Sequence, residues 1–274
     1  MLSSEDAVGL YLDLMKKCLT RLVFPERFRE IVPTSRAKRT LVAKALPLLG
    51  RANLTLVHPA CIDREARETG RDWPPEAETM IGLRRLDNLE HCIKTLIAGR
   101  VPGDLIEAGV WRGGAAIFMR AALRAYGETE RTVWVADSFA GLPKPDPANR
   151  VDIGDLHYTF SQLAVPLEEV QANFRRYDLL DRQVRFLEGW FKDTLPSAPL
   201  DRLALIRLDG DMYGSTIDAL RALYPRLSQG GFVIVDDYAL SGAREAVDDF
   251  RRDNAIQDPI QKIDWTGVFW RRTA

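Results

Sequence analysis

The sequence predicts an α/β fold: a mostly parallel sheet whose last strand is antiparallel, preceded by a helical extension. Three observations predict it. From about residue 76 onward, short β-branched runs alternate with helical patterns, which implies crossover units and a parallel sheet. Successive strand candidates end in an acid, a glycine or both. The chain then finishes Ile260-Gln-Lys-Ile-Asp-Trp-Thr-Gly-Val-Phe-Trp-Arg-Arg272, two short strands joined through Thr266-Gly267.

Residues 1–75 read as a separate N-terminal helical extension, with helix-like stretches broken by Pro25, Pro33, Pro47 and Pro59. Val8, Tyr11, Leu12, Met15, Leu19 and Leu22 have amphipathic-helix spacing around Lys16 and Lys17. The extension ends in the punctuated run Gly70-Arg-Asp-Trp-Pro-Pro75, and residues 76–274 form the main domain. Strands are predicted over 104–110, 132–139, 184–190, 203–209 and 231–237. Helices are predicted over 115–126, closed by Gly127, and over 167–177, with Glu168 and Glu169 in the first turn. Two more are predicted over 215–227 and 242–254.

The balance of charge narrows the function. With 38 basic and 39 acidic residues, a formal net charge of −1 offers no global attraction to nucleic acid or anionic membrane. Arg175-Arg176 and Arg251-Arg252 read as solvated helix faces. Cys18, Cys61 and Cys92 are odd in number and far apart, which argues against a disulfide framework and a thiolate metal site. The expectation is a soluble protein of the reducing cytoplasm, since the acidic start is a poor signal peptide and no ~18-residue apolar run occurs.

The turn Glu107-Ala-Gly-Val-Trp-Arg-Gly-Gly114 follows the first predicted strand of the main domain. Glycines there let the backbone approach a ligand at a helix N-terminus, although glycines after a strand also serve packing. The acid Glu107 replaces the first glycine of a dinucleotide fingerprint. A carboxylate there repels a pyrophosphate and attracts the cationic methionyl moiety of S-adenosylmethionine. Asp137, in Asp137-Ser-Phe-Ala-Gly-Leu-Pro143, stands where an acid can accept ribose hydroxyls. Trp190, after Glu188-Gly189, can lie beside an adenine or be plain core.

Two further strands end in Leu208-Asp-Gly-Asp-Met-Tyr213 and Val235-Asp-Asp-Tyr238. If those strands are neighbours, Asp209, Asp211, Asp236 and Asp237 crowd one sheet edge, and a cation such as Mg²⁺ would neutralise them. The alternative is that single acids cap the following helices. A metal beside the cofactor suggests methylation of a poorly acidic hydroxyl. Asp211 is the first candidate for the base and His157 the second. His58 and His91 lie in the extension and in a helix pattern and suit that task less well.

Together with Thr79-Met-Ile-Gly-Leu-Arg-Arg-Leu-Asp-Asn88 and Tyr11-Leu-Asp-Leu-Met-Lys-Lys17, these motifs resemble the macrocin O-methyltransferase family over nearly the whole chain. The resemblance implies a Rossmann-like class I methyltransferase fold with seven strands, and methyl transfer from S-adenosylmethionine to deoxysugar hydroxyls of antibiotics. It implies Mg²⁺ at Asp209, Asp236 and Asp237, a base at Asp211 or a nearby histidine, and Met80 covering the cofactor. The expected cofactor-binding set is Met80, Glu107, Gly109, Gly113, Asp137, Ser138, Gly189, Trp190 and Asp209. The N-terminal helices are expected to form a lid and much of a homo-oligomer interface, a dimer in the simplest case. Segments 45–75 and 144–165 match no family motif and are where acceptor specificity is expected. The competing readings are a phenol or catechol O-methyltransferase, a nicotinamide-dependent oxidoreductase and a relic that binds cofactor without catalysis.

Overall fold

The computed structural model describes residues 3–31 and 49–273, so the predicted breaks at Pro33 and Pro47 lie outside the described residues. Helix α1 (Ser4–Leu19) begins at a capping box in which Ser3 and Asp6 satisfy each other's backbone N–H groups. Leu12, Met15 and Leu19 enter the main apolar core, as their spacing predicts. Lys16 holds Asp87 at 2.5 Å and Glu90 at 2.6 Å, tying α1 to the main domain.

Among the described residues between 20 and 75, part of the expected helical stretch is instead a ribbon. Strands β1 (Phe28–Glu30) and β2 (Val57–Pro59) pair antiparallel, and only α2 (Arg64–Glu68) is helical between β2 and residue 75. The physical reason is long-range. Buried Arg67 binds Glu26 at 2.7 Å and Asp72 at 2.7 Å, and Arg29 reaches Asp72 at 3.2 Å. The Arg67–Glu26 and Arg29–Asp72 pairs join segments some forty residues apart, which no local period records.

Helix α3 (Gly82–Ala98) leads into the sheet, followed by β3 (Asp104–Ala108), α4 (Gly114–Ala125), β4 (Val133–Asp137), α5 (Leu167–Arg176) and β5 (Val184–Glu188). Then come the short α6 (Phe191–Thr194), β6 (Leu203–Leu208), α7 (Tyr213–Leu223), β7 (Leu227–Val235), α8 (Ser241–Asp253), β8 (Gln261–Lys262) and β9 (Val268–Arg271). Seven strands form one sheet in the order β5-β4-β3-β6-β7-β9-β8. Strands β3 to β7 run parallel, and β9 enters antiparallel beside β7, as the terminal hairpin predicts.

Alternate strand residues feed two cores. Leu105, Val135, Leu205 and Ile234 face α1, α3, α4 and α5, whereas Ile106, Ala136, Ile206 and Val235 face α7 and α8. Strand β6 is buried throughout, typical of a parallel strand covered on both faces. The chain reverses its direction of winding between β3 and β6, and such a switch point opens a crevice at the carboxyl ends of the strands. Among the described residues, no helix is long and apolar enough to cross a membrane.

Candidate active site

A cavity of about 680 Å³ lies at that switch point, and the ends of β3, β4, β5, β6 and β7 all reach it. Three residues other than glycine adopt left-handed backbone at those ends: Trp111 (φ 48°), Phe139 (φ 52°) and Asp211 (φ 57°). Such conformations are costly for L-residues, and here they gather around one crevice.

The glycine turn forms one wall. Gly109 and Gly113 both have positive φ, but the space left by their missing side chains faces protein. A Cβ on Gly109 would stand 1.8 Å from the carbonyl oxygen of Asp209, and one on Gly113 would stand 2.8 Å from Val170. Packing therefore requires both glycines, and Gly113 does not line the cavity whereas Gly109 does. Asp137 braces the turn by accepting the N–H groups of Val110 at 2.7 Å and Phe139 at 2.8 Å. Burial raises its carboxyl above the usual range against those hydrogen bonds. Asp137 still faces the cavity, where its remaining lone pairs are open to a ligand. Ser138 donates to the carbonyl of Gly141 at 2.6 Å, so its proton is spent on the turn. Gly189 and Trp190 also line the cavity; Trp190 is 37% exposed, so it is not core. Met80 lies on the segment above α4, held there by the Gly114 N–H donating to the carbonyl of Glu78 at 2.9 Å.

Glu107 differs from its expected role. It is paired in register with Arg207 on the neighbouring strand, and the Arg207 Nη1 donates to its Oε1 at 2.5 Å. Its charge is thus matched within the protein, which weakens it as a free attractor of a cationic ligand. Burial nevertheless raises its carboxyl to about 8 despite Arg207, and Asp209 and Asp236 add to the rise. Its Oε2 has no hydrogen-bond partner among the described residues.

The acidic wall follows from register. Leu208 pairs with Val235 across β6 and β7, so Asp209 and Asp236 emerge side by side. Asp209, Asp236 and Asp237 each offer an oxygen within 4.8 Å of the others. Arg207 also donates to Asp209 at 2.8 Å and to Asp236. Arg85, from α3, donates to the other oxygen of Asp236 and reaches Asp264 of the terminal hairpin at 3.1 Å. Two guanidinium groups therefore supply part of the neutralisation that the sequence assigned to a metal alone. Arg207 was legible as a charge inside an apolar strand, which requires a buried partner. Arg85 carries no local signal, because its partners are distant in sequence.

Asp211 reaches the cavity by another route than strand alternation. Strand β6 stops at Leu208, and a left-handed turn at Asp211 brings its side chain inward, with its N–H donating to Asp237 at 3.3 Å. Burial raises its carboxyl to about 7; Asp209 adds to the rise and His157 opposes it. Burial also raises Asp209 and Asp237, reinforced by their acidic neighbours. Among the described residues, no basic side chain pairs with Asp237 or Asp211. His157 lines the same cavity, with its Nδ1 3.1 Å from Asp155. His58 and His91 are exposed and stand outside the cavity.

Comparison with known proteins places the chain in a family. The sequence profile of the macrocin-O-methyltransferase (TylF) family matches residues 8–272. The chain is 55% identical over 273 residues to the 8-demethyl-8-(2,3-dimethoxy-alpha-L-rhamnosyl)-tetracenomycin-C 4'-O-methyltransferase of Streptomyces olivaceus, covering 99% of this chain and 95% of that protein. It is 47% identical to the mycinamicin III 3''-O-methyltransferase of Micromonospora griseorubida, with full coverage of both (100% each). The solved structure of the O-methyltransferase NovP superposes with a TM-score of 0.81 at 47% identity, covering 97% of this chain and 100% of that one. An oxidoreductase is thereby set aside. The chain belongs to the macrocin-O-methyltransferase family and is a class I O-methyltransferase dependent on S-adenosylmethionine.

Proposed function

We propose that the enzyme methylates a sugar hydroxyl of a glycosylated small molecule, with Mg²⁺ at Asp209, Asp236 and Asp237 and Asp211 as the base. The observation that carries this reading is the meeting of two walls in one cavity: a nucleoside-compatible turn and an under-neutralised acidic cluster. The two relatives named above act, by their names, on a rhamnosyl-tetracenomycin C and on mycinamicin III.

The residues fit both groups. Glu107 Oε2, buried and without a hydrogen-bond partner, suits a cationic ammonium better than an anion. Asp211 and Asp237 have no basic partner among the described residues, while Arg85 and Arg207 are shared among Glu107, Asp209, Asp236 and Asp264, which leaves negative charge for a hard cation with oxygen ligands. Mg²⁺, when bound, would orient acceptor oxygens and lower the pKa of the attacking hydroxyl.

The chain's own groups do the rest. Asp211, raised to about 7, is suited to accept a hydroxyl proton near neutrality at a carboxylate oxygen. His157, oriented by Asp155, is the second candidate for that proton. The turn and the strand ends line one cavity, and a donor and acceptor held in line there would gain much of the acceleration from alignment. The three free thiols support a reducing cytoplasm as the place of action. A homo-oligomer joined through the N-terminal region remains part of the proposal.

The test is methyl transfer from S-adenosylmethionine to a panel of desmethyl glycosides and phenols, with and without EDTA. Turnover on glycosides that EDTA abolishes and Mg²⁺ restores is expected. Turnover on phenols alone would move the acceptor class to the catechol type. Undiminished turnover after verified metal removal would remove the metal.

A further inference from the structure

We propose that Trp73, Phe160, Leu156 and Ile153 form a subsite for the aglycone of the acceptor, selecting an apolar, ring-bearing group over a small polar one. The inference rests on the glycosylated-acceptor reading and deepens it.

Four large apolar side chains that line the cavity, touch its lining residues or adjoin them in sequence are exposed. Ile153 is 64% exposed, Leu156 59%, Trp73 45% and Phe160 37%. Exposed apolar residues on a loose loop would mean little, but this segment is pinned at both ends. Buried Asp152 accepts the N–H groups of Tyr213 at 2.8 Å and Gly214 at 3.2 Å, at the start of α7. At the other end, the indole N–H of Trp111 in the cofactor turn donates to the carbonyl of Gln162 at 2.8 Å. The segment between these two pins is therefore held in place, and its residues Asp152, His157 and Leu163 line the cavity together with Trp73, which sets the exposed apolar side chains next to a binding groove.

Its position names the ligand. The rings of His157 and Phe160 meet edge to face at 5.4 Å, and those of Phe160 and Trp73 at 6.1 Å. His157 and Trp73 line the cavity, so an aromatic path runs from the candidate base outward. A sugar whose hydroxyl stands beside Asp211 and His157 has the charged cluster behind it. A group that the sugar carries on the His157 side of the cavity would meet that path. Trp73 belongs to the N-terminal region and Phe160 to segment 144–165, so one aglycone would touch both. The interior is acidic and hydrogen-bonding, suited to sugar hydroxyls, while the rim offers ring faces and aliphatic surface, suited to an apolar ring system.

The test compares methyl α-L-rhamnoside with 1-naphthyl α-L-rhamnoside. Calorimetric binding is measured on the protein loaded with S-adenosylhomocysteine and Mg²⁺, and methyl transfer is followed in parallel. We expect the naphthyl glycoside to bind about tenfold more tightly. Leu156→Ser and Trp73→Ala should each remove most of that preference. Both side chains are well exposed, so the variants should fold, and their melting temperatures check this. Equal affinity for the two glycosides would overturn the subsite, as would a preference that survives both substitutions in folded protein. Failure of the wild type to methylate either glycoside would count against the sugar-acceptor reading instead, and the binding comparison would still decide the rim.

Discussion

Asp211 shows how much one residue's backbone contributes to chemistry. Its φ of 57° turns the side chain into the cavity after β6 has ended, and burial with Asp209 beside it raises the carboxyl to about 7. Asparagine tolerates the same left-handed conformation, so Asp211→Asn removes the base with little strain. Steady-state kinetics should show kcat lowered by about 10²-fold or more, with the affinity for S-adenosylmethionine almost unchanged. An unchanged rate would transfer the role to His157. Arg207 is the structural counterpart, serving Glu107, Asp209 and Asp236 at once. Arg207→Met would leave buried carboxylates without their partner and should cost about 3–5 kcal/mol in urea unfolding. A loss near zero would mean that the cluster is neutralised by other means, such as uptake of protons.

Among elements, segment 144–165 depends on its neighbours more than on itself. It holds only short 3₁₀ turns, at Arg150–Asp152, His157–Thr159 and Ser161–Leu163. Asp152 fastens it to the N-terminus of α7, and Gly242 at the start of α8 leaves room for that carboxylate. A Cβ on Gly242 would stand 2.6 Å from Asp152 Oδ1. Asp152→Ala removes the clasp, and Gly242→Ala displaces it without altering a cavity-lining residue. Both should lower kcat/KM for the acceptor by about tenfold, roughly the free energy of one capping interaction. Cofactor affinity should stay within about twofold, because the cofactor turn is braced separately by Asp137. Wild-type acceptor kinetics in both variants would show that the segment is positioned by other contacts. The ribbon of β1 and β2 depends on context in the same way, since its ion pairs at Arg67 and Arg29 bridge distant segments.

For the whole molecule, the sheet order gathers the site and links its charge to stability. Two guanidinium groups bind Glu107, Asp209 and Asp236 at the cavity floor while Asp211 and Asp237 have no basic partner among the described residues, so a divalent cation that binds the folded state alone should stabilise it. Melting temperature should rise with Mg²⁺ and saturate, reaching about 2.7 kcal/mol of added stability at a hundredfold excess over Kd. Asp237→Asn should abolish the rise, and a wild-type melting temperature indifferent to Mg²⁺ would argue against the site. The seven strands, the terminal hairpin and the helices that cover them were legible in the sequence. Their signals are local: short, nearly continuous apolar runs such as Leu203–Leu208, the C′ glycine at Gly127 and acids in a first helical turn. The acids at the strand ends were legible for the same reason. Only the tertiary structure decided that Gly109 and Gly113 are required by packing, that Glu107 is paired with Arg207, and that Arg85 clasps Asp236. Those facts depend on strand register and on contacts between residues as far as 151 positions apart, such as Arg85 and Asp236. A local pattern names which groups stand at a strand end; the neighbouring strand decides what charge they meet there.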